Sequence, residues 1–177
     1  KGSPDTADGL TSAGRKLIRR CNELGIVVDL SHMSERGFWD VAKLSNAPLV
    51  ASHSNAWKLC KSTRNLTDDQ LHAVGESDGL VGLNFGTLFL RSDGKIDEST
   101  PLSVMIDHLR HLVDHAGIGH VGFGSDFDGT VVSREIGSAA GMPRLIDAMR
   151  AGGFTEDEIE KIAWRNWLDL LRRSWGE

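Results

Sequence analysis

Short runs of apolar residues alternate along the chain with longer stretches whose apolar residues recur every three or four positions. The short runs occupy residues 26–30, 49–51, 80–85 and 120–124, and their length and composition are typical of buried β-strands. The longer stretches have the period of helices that bury one face. Strands that alternate with helices predict an α/β fold with four parallel strands and right-handed crossover connections.

The stretch with the clearest helical period covers residues 102–116. Its apolar residues form one stripe: Leu102, Met105, Ile106, Leu109, Leu112, Val113 and Ala116. On the same stretch His111 and His115 have the i, i+4 spacing of a helical metal pair. We expect both residues, together with His108, to lie on the solvated face opposite the stripe, as ordinary surface residues.

The composition is that of a globular domain with a small acidic excess. The chain has 177 residues, with 25 Asp plus Glu against 20 Lys plus Arg and a net charge of −5. Binding to nucleic acid is therefore not expected, because phosphate contacts need a basic surface. No apolar stretch reaches the roughly 20 residues that span a bilayer. We expect a single domain over residues 1–177, located in the cytoplasm.

Polar residues follow each predicted strand at the point where the strand ends. His32 comes directly after the first run, His53 after the second, Asn84 closes the third, and Asp126 follows the fourth. The carboxyl ends of parallel strands lie at one edge of a sheet, where α/β proteins place their ligands. Since His32 and His53 end consecutive strands, both imidazoles can reach one metal ion, and imidazole is a common zinc ligand. The alternative is that each histidine is a hydrogen-bonded residue of a loop or of the core.

Two further residue types near these strand ends fit a catalytic site. Asp126 and Asp128 follow the fourth run, and a carboxylate there could bind metal, take a proton from water or hold an ammonium group. Asp128 precedes Gly129, so a turn role is the simpler interpretation for it, and Asp126 is the catalytic candidate. Arg64 lies in the loop after the second run, where a guanidinium could hold a carboxylate in bidentate fashion or remain solvated.

Four motifs, taken together and in order, resemble the renal dipeptidase (membrane dipeptidase) family of zinc metallopeptidases. They are Val28-Asp29-Leu30-Ser31-His32, Ala51-Ser52-His53-Ser54-Asn55, Arg64-Asn65-Leu66-Thr67-Asp68 and His120-Val121-Gly122-Phe123-Gly124-Ser125-Asp126-Phe127-Asp128-Gly129. The resemblance implies an amidohydrolase-type (β/α)8 barrel with two zinc ions. In that family a hydroxide that bridges the metals attacks the peptide bond of a dipeptide.

The resemblance also implies a role for each matching residue. His32 and His53 resemble the family's two histidine ligands of one zinc ion. Arg64 resembles the residue that binds the terminal carboxylate of the substrate. Asp126 resembles the acidic residue beside the metal-bound water, and it would also contact the substrate.

Part of the family's pattern has no counterpart in these residues. The His-x-Asp of the first barrel strand, the Glu that bridges both metals and a further substrate-binding His would all precede Lys1. Four strand-helix units are also half of the eight that close such a barrel. We therefore expect this chain to be the C-terminal half of a longer protein, and to be inactive by itself because its remaining zinc ligands lie elsewhere.

Two other functions stay open at the level of the sequence. One is another metal hydrolase of the amidohydrolase type, acting on cyclic amides or in deamination. The other is a non-catalytic fragment or pseudoenzyme, which the missing carboxylates favour. The expected partner is a dipeptide, and the sequence leaves open whether the protein forms a homodimer.

Overall fold

The computed structural model describes residues 8–176, which fold into helices packed around a small parallel sheet. A π-helical segment, Lys161–Arg165, connects the two C-terminal helices without a break. The strands are β1 (Val50–Ala51), β2 (Leu80–Asn84) and β3 (Val121–Ser125). The α-helices are α1 (Ser12–Glu23), α2 (Glu35–Leu44), α3 (Asp68–Glu76), α4 (Thr87–Leu90), α5 (Leu102–Ala116), α6 (Met142–Ala151), α7 (Glu156–Glu160) and α8 (Asn166–Trp175).

The sheet has the order β1-β2-β3, and both pairs of strands are parallel. The prediction of an α/β fold with parallel strands is therefore confirmed, but the prediction of four strands holds only in part. In the first predicted run a single residue, Asp29, forms a parallel bridge with Val50. This run does not form a full strand because it lies at the edge of the sheet. There Ile26 is half exposed, and the side chain of Asp29 makes polar contacts.

The helices begin where the sequence places side-chain caps. Thr11, Ser34, Thr67 and Thr155 each accept a hydrogen bond from a backbone N–H in the first turn of the following helix. These bonds satisfy donors that a helix start otherwise leaves unpaired. The caps of α3 and α7 are complete capping boxes with Gln70 and Glu158. Side-chain capping by nearby residues thus defines where these four helices begin.

The apolar core lies between the sheet and α5. Every residue of β2 is buried, as expected for a central parallel strand covered on both faces. From α5, the side chains of Met105, Leu109 and Leu112 are fully buried. Burial of an apolar side chain of this size contributes about 1.5–3 kcal/mol to stability. This core holds the strand ends, and the polar residues on them, in fixed relative positions.

His108 does not lie on the solvated face of α5, so that part of the prediction is wrong. It stands three residues after Met105 and four before Leu112, and this spacing places it on the apolar stripe. The ring is fully buried, with Nδ1 accepting from the Ala56 N–H at 3.2 Å and Nε2 donating to the Leu90 carbonyl at 2.9 Å. His108 therefore ties α5 to two loops of the core.

Burial of His108 makes stability depend on pH. Burial lowers the pKa of His108 to about 4, whereas an unfolded histidine titrates near 6.5. Between these values the unfolded state binds a proton that the folded state does not, so stability falls as pH falls through this window. We expect about 2 kcal/mol to be lost from this group between pH 7.5 and pH 5. Urea unfolding at both pH values should show a correspondingly smaller loss in His108→Gln, and equal losses in the two proteins would contradict the assignment.

Candidate active site

His32 and His53 meet at the carboxyl end of the sheet. His32 follows the segment that bridges to β1, and His53 follows β1 itself. Their Nε2 atoms lie 3.1 Å apart, with the ring centroids separated by 5.1 Å. Two nitrogens bound at about 2.1 Å to one tetrahedral zinc ion are separated by roughly 3.3 Å. The donor type and the spacing of this pair therefore fit a shared zinc ion.

A hydrogen-bond relay fixes the orientation of His53. Its Nδ1 lies 2.6 Å from Ser52 Oγ, and that hydroxyl donates at 2.5 Å to Asp29 Oδ2. Because Ser52 gives its proton to Asp29, its oxygen accepts the Nδ1–H of His53. The lone pair of His53 is then on Nε2, which faces His32. Indirect support of a ligand histidine by a carboxylate is common around metal sites.

Asp29 also belongs to the candidate site, although the sequence pattern did not single it out. Its Oδ1 accepts hydrogen bonds from the N–H and hydroxyl of Ser31 and from the N–H of Ser52. Burial by itself raises the pKa of Asp29, but these hydrogen bonds and that of the Ser52 hydroxyl outweigh it, and the pKa lies below its ordinary value. The carboxylate thus stays charged beside the two histidines. The signal in the sequence was an acidic residue inside an otherwise apolar run.

The pKa of His32 also lies below its ordinary value. Partial burial is the largest cause, followed by the positive charge of Arg64 and by His53, while Asp126 and Asp29 act in the opposite direction. A neutral imidazole is the form that binds a metal ion. The charges of candidate residues from three other segments therefore act on His32.

Asp126 faces the same site from the end of β3. Asn84, at the end of β2, donates from Nδ2 to Asp126 Oδ2 at 2.9 Å and accepts the Gly86 N–H on its own Oδ1 at 2.7 Å. The backbone of Ser125 and Asp126 is left-handed, with φ of 39° and 64°. Such backbone is unfavourable for most non-glycine residues and is found where a side chain must be aimed. Asn84 is therefore a positioning residue for Asp126.

Asp128 lies in the same turn but makes no such contact. It is exposed and has a left-handed φ of 67°, a conformation that Asp tolerates better than most residues. A Cβ on the neighbouring Gly129 would collide with Asp126 Oδ1. The turn therefore needs glycine at position 129 to keep the Asp126 carboxylate in place.

Arg64 reaches the site from the loop between β1 and α3. Its Nε donates to the Ser31 carbonyl at 2.6 Å, and its guanidinium lies 5.3 Å from the centre of the Phe89 ring. The Nη2 atom is buried and has no hydrogen-bond partner among residues 8–176. Arg64 is also one of the residues that line a cavity of about 280 Å³, although His32, His53 and Asp126 are not among them. Burial lowers the pKa of Arg64 from its high ordinary value, yet the group stays charged, so an anion is the ligand that this buried donor would take.

A pattern typical of serine hydrolases also occurs, but away from this site. Gly75, Ser77 and Gly79 form a Gly-x-Ser-x-Gly sequence. Ser77 caps the end of α3, where its hydroxyl donates to the Val74 carbonyl and accepts the Leu49 N–H. No strand-to-helix elbow exposes this hydroxyl, so the pattern here has a structural role.

Comparison with known proteins decides the family. The sequence model of the membrane dipeptidase family, peptidase family M19, matches residues 1–174. The chain belongs to this family. The resemblance to the renal dipeptidase family is thereby confirmed, and the fold is similar to that of a solved M19 dipeptidase.

Similar M19 proteins include two solved structures. The metallopeptidase described as dipeptidase AC is 53% identical, with a TM-score of 0.96 over 99% of this chain and 52% of that one. A metallopeptidase from Rhodobacter sphaeroides, liganded with a phosphinate mimic of the dipeptide L-Ala-D-Ala, is also 53% identical, with a TM-score of 0.95 over 98% and 50%. An uncharacterized protein in the pqqA 5′ region of Klebsiella pneumoniae is 50% identical over 99% of this chain and 65% of its own length.

This chain spans only part of the length of these three proteins. It covers about half of each of the two solved structures and 65% of the Klebsiella protein. Within the part of the chain that the structure describes, no helix has the length and apolar character needed to cross a membrane.

Proposed function

We propose that the protein to which this chain belongs is a zinc-dependent dipeptidase. One observation carries the proposal: the His32 and His53 Nε2 atoms, 3.1 Å apart, lie near the guanidinium of Arg64. One buried nitrogen of that guanidinium has no hydrogen-bond partner in the described part of the chain. The first feature fits a metal ion and the second fits a substrate carboxylate. Membership of the M19 family and a relative liganded with a mimic of L-Ala-D-Ala support dipeptides as the substrate class.

His32 and His53 are the residues of this chain that would hold zinc. When bound, zinc supplies Lewis acidity for the peptide carbonyl and water of lowered pKa as the nucleophile. Ser52 and Asp29 keep the Nε2 lone pair of His53 directed at the site. The remaining ligands, and the second of two zinc ions, are proposed to come from residues outside these 177.

Asp126 is proposed to handle a proton or the substrate amine. Asn84 occupies its Oδ2, which leaves Oδ1 to accept a proton from the attacking water and return it to the leaving nitrogen. The same carboxylate could instead hold the α-ammonium of the dipeptide. Both roles need a charged Asp126 at a fixed position, which the contact with Asn84 provides.

Arg64 is proposed to set the length of the substrate. A guanidinium that binds the terminal carboxylate next to the reacting peptide bond accepts dipeptides and excludes longer chains and amides. We expect Arg64→Lys to raise KM for L-Ala-D-Ala about 10- to 100-fold, because lysine cannot form the bidentate pair, while kcat changes little. Steady-state kinetics with L-Ala-D-Ala and its C-terminal amide would measure this effect.

A matched control for Arg64 is available on the same chain. The guanidinium carbon of Arg110 also lies over an aromatic ring, 5.5 Å from the centre of Phe154. Arg110 is on α5 and is not part of the candidate active site. Arg110→Lys should leave KM unchanged. Unchanged dipeptide kinetics in Arg64→Lys, or turnover of the amide as fast as that of the free acid, would reject the carboxylate role. Turnover of cyclic amides alone would instead favour a different amidohydrolase activity.

We further propose that residues 1–177 form the C-terminal half of a (β/α)8 barrel. In support, the strands are parallel and adjacent in chain order, and the chain matches about half of two M19 structures. The intact mass of the protein from its own source tests this proposal. A mass of roughly 35–45 kDa is expected for a whole barrel with insertions, and a mass of 19.3 kDa would contradict it.

A further inference from the structure

Three histidines and an aspartate meet between helices α3 and α5. Asp68 and His72 lie on α3, and His111 and His115 lie on α5, each pair separated by one helical turn. We call these four residues the helix cluster. Their side chains are partly accessible to solvent. Within the described residues, these side chains form hydrogen bonds with one another and with no residue of the candidate active site.

The geometry of the helix cluster is close to that of a three-ligand metal site. His111 Nε2 lies 2.7 Å from Asp68 Oδ1, and His115 Nε2 lies 4.0 Å from Asp68 Oδ2. One ligand atom from each of these three residues lies within 4.8 Å of the others. Ligands of a tetrahedral zinc ion lie roughly 3.3 Å apart. Small side-chain rotations therefore bring all three atoms to coordinating distance.

His72 contacts the side of the His115 ring that faces away from Asp68. His72 Nε2 lies 3.3 Å from His115 Nδ1, and the tautomers of the two rings decide which nitrogen donates the hydrogen bond. When His115 donates from Nδ1, its Nε2 carries the lone pair and points toward Asp68. A ligand histidine that donates its other ring N–H to a fixed acceptor is typical of metal sites. His72 is thus a positioning residue in this arrangement.

We propose that Asp68, His111 and His115 bind one zinc ion on the outer helices, separate from the His32 and His53 site. Two imidazoles and one carboxylate are the ligand chemistry of zinc, whereas magnesium and calcium prefer oxygen ligands alone. The i, i+4 spacing of His111 and His115 presents both rings on one face of α5. A fourth position stays open to water.

The charge of the helix cluster suits a divalent cation. Asp68 is a carboxylate at neutral pH, as aspartate ordinarily is. Zinc bound here would join the start of α3 to the second half of α5, whose contact forms part of the core. The bound ion would stabilise the folded protein by linkage.

Zinc titration of the metal-stripped protein, expressed from its complete gene, tests the proposal. The background carries His32→Ala and His53→Ala, so that the candidate active site contributes little. Calorimetry should find a saturable zinc site of micromolar Kd or tighter, and Tm should rise by about 5–10 °C at a hundredfold excess over Kd. His111→Gln with His115→Gln should remove one zinc ion per chain and the Tm shift. His72→Gln should weaken binding about tenfold.

His120→Gln is the matched control, because His120 bonds to the Gly79 carbonyl outside the helix cluster. Its zinc binding should equal that of the background. Unchanged stoichiometry and affinity in the His111 and His115 double variant would overturn the proposal, as would a background that binds no zinc. Circular dichroism and the absorption of bound Co²⁺ separate a lost site from a lost fold. In a protein that keeps His32 and His53, the His111→Gln and His115→Gln double variant should hydrolyse dipeptides at the unmodified rate. Failure of this proposal is therefore distinct from failure of the proposed function.

Discussion

Replacing His53 by alanine is expected to reduce kcat/KM for L-Ala-D-Ala by roughly a thousandfold or more. The change removes one of the two Nε2 atoms that lie 3.1 Å apart, and an isolated histidine holds zinc poorly. His32→Ala should have the same effect, since the two rings would share one ion. Metal analysis of the purified variants, together with steady-state kinetics, should show that activity and one zinc ion per chain are lost together.

The control for this prediction is His120→Ala, a histidine that ends no strand and bonds to a backbone carbonyl. It should retain both zinc and activity. Variants of His32 or His53 that keep full zinc content and full activity would exclude these residues as ligands. Variants that keep zinc but lose activity would assign them to the substrate instead.

Replacing Asp126 by asparagine is expected to reduce kcat by about 10²- to 10⁴-fold, the usual contribution of a positioned general acid or base. Asparagine preserves the shape of the side chain and can still accept the hydrogen bond from Asn84. It also tolerates the left-handed backbone, where φ is 64°. The substitution therefore removes the charge and the proton-accepting capacity with little change in geometry. Zinc content should stay as in the unmodified protein.

Asp128→Asn is the matched control for Asp126→Asn. Asp128 lies in the same turn with a φ of 67° and is exposed to solvent. Its substitution should change kcat by no more than a few-fold. Equal losses in the two variants would show that the negative charge of the turn matters rather than the position of one carboxylate. A fully active Asp126→Asn would remove Asp126 from the catalytic machinery.

The sequence determined the local features of this protein. Caps such as Thr67 and Thr155 depend on residues within three positions, and the apolar period of α5 identifies its buried face. The alternation of strands and helices was enough to place His32, His53 and Asp126 at one edge of the sheet. It also placed Arg64 in the neighbouring loop, where a family resemblance gave it a role.

Tertiary structure decided which side chains meet and what each proton does. Nothing within a few residues of His53 indicates that Asp29, through Ser52, sets its tautomer. Asp68 and His111 are 43 positions apart in the sequence, yet their side chains form a hydrogen bond. Contacts of this kind depend on how the helices pack over the sheet. The helical period of one segment shows which of its faces is buried, but not which other helix packs against that face. The sequence alone therefore identifies candidate site residues and the faces on which they lie, whereas packing in the folded chain decides which side chains contact each other.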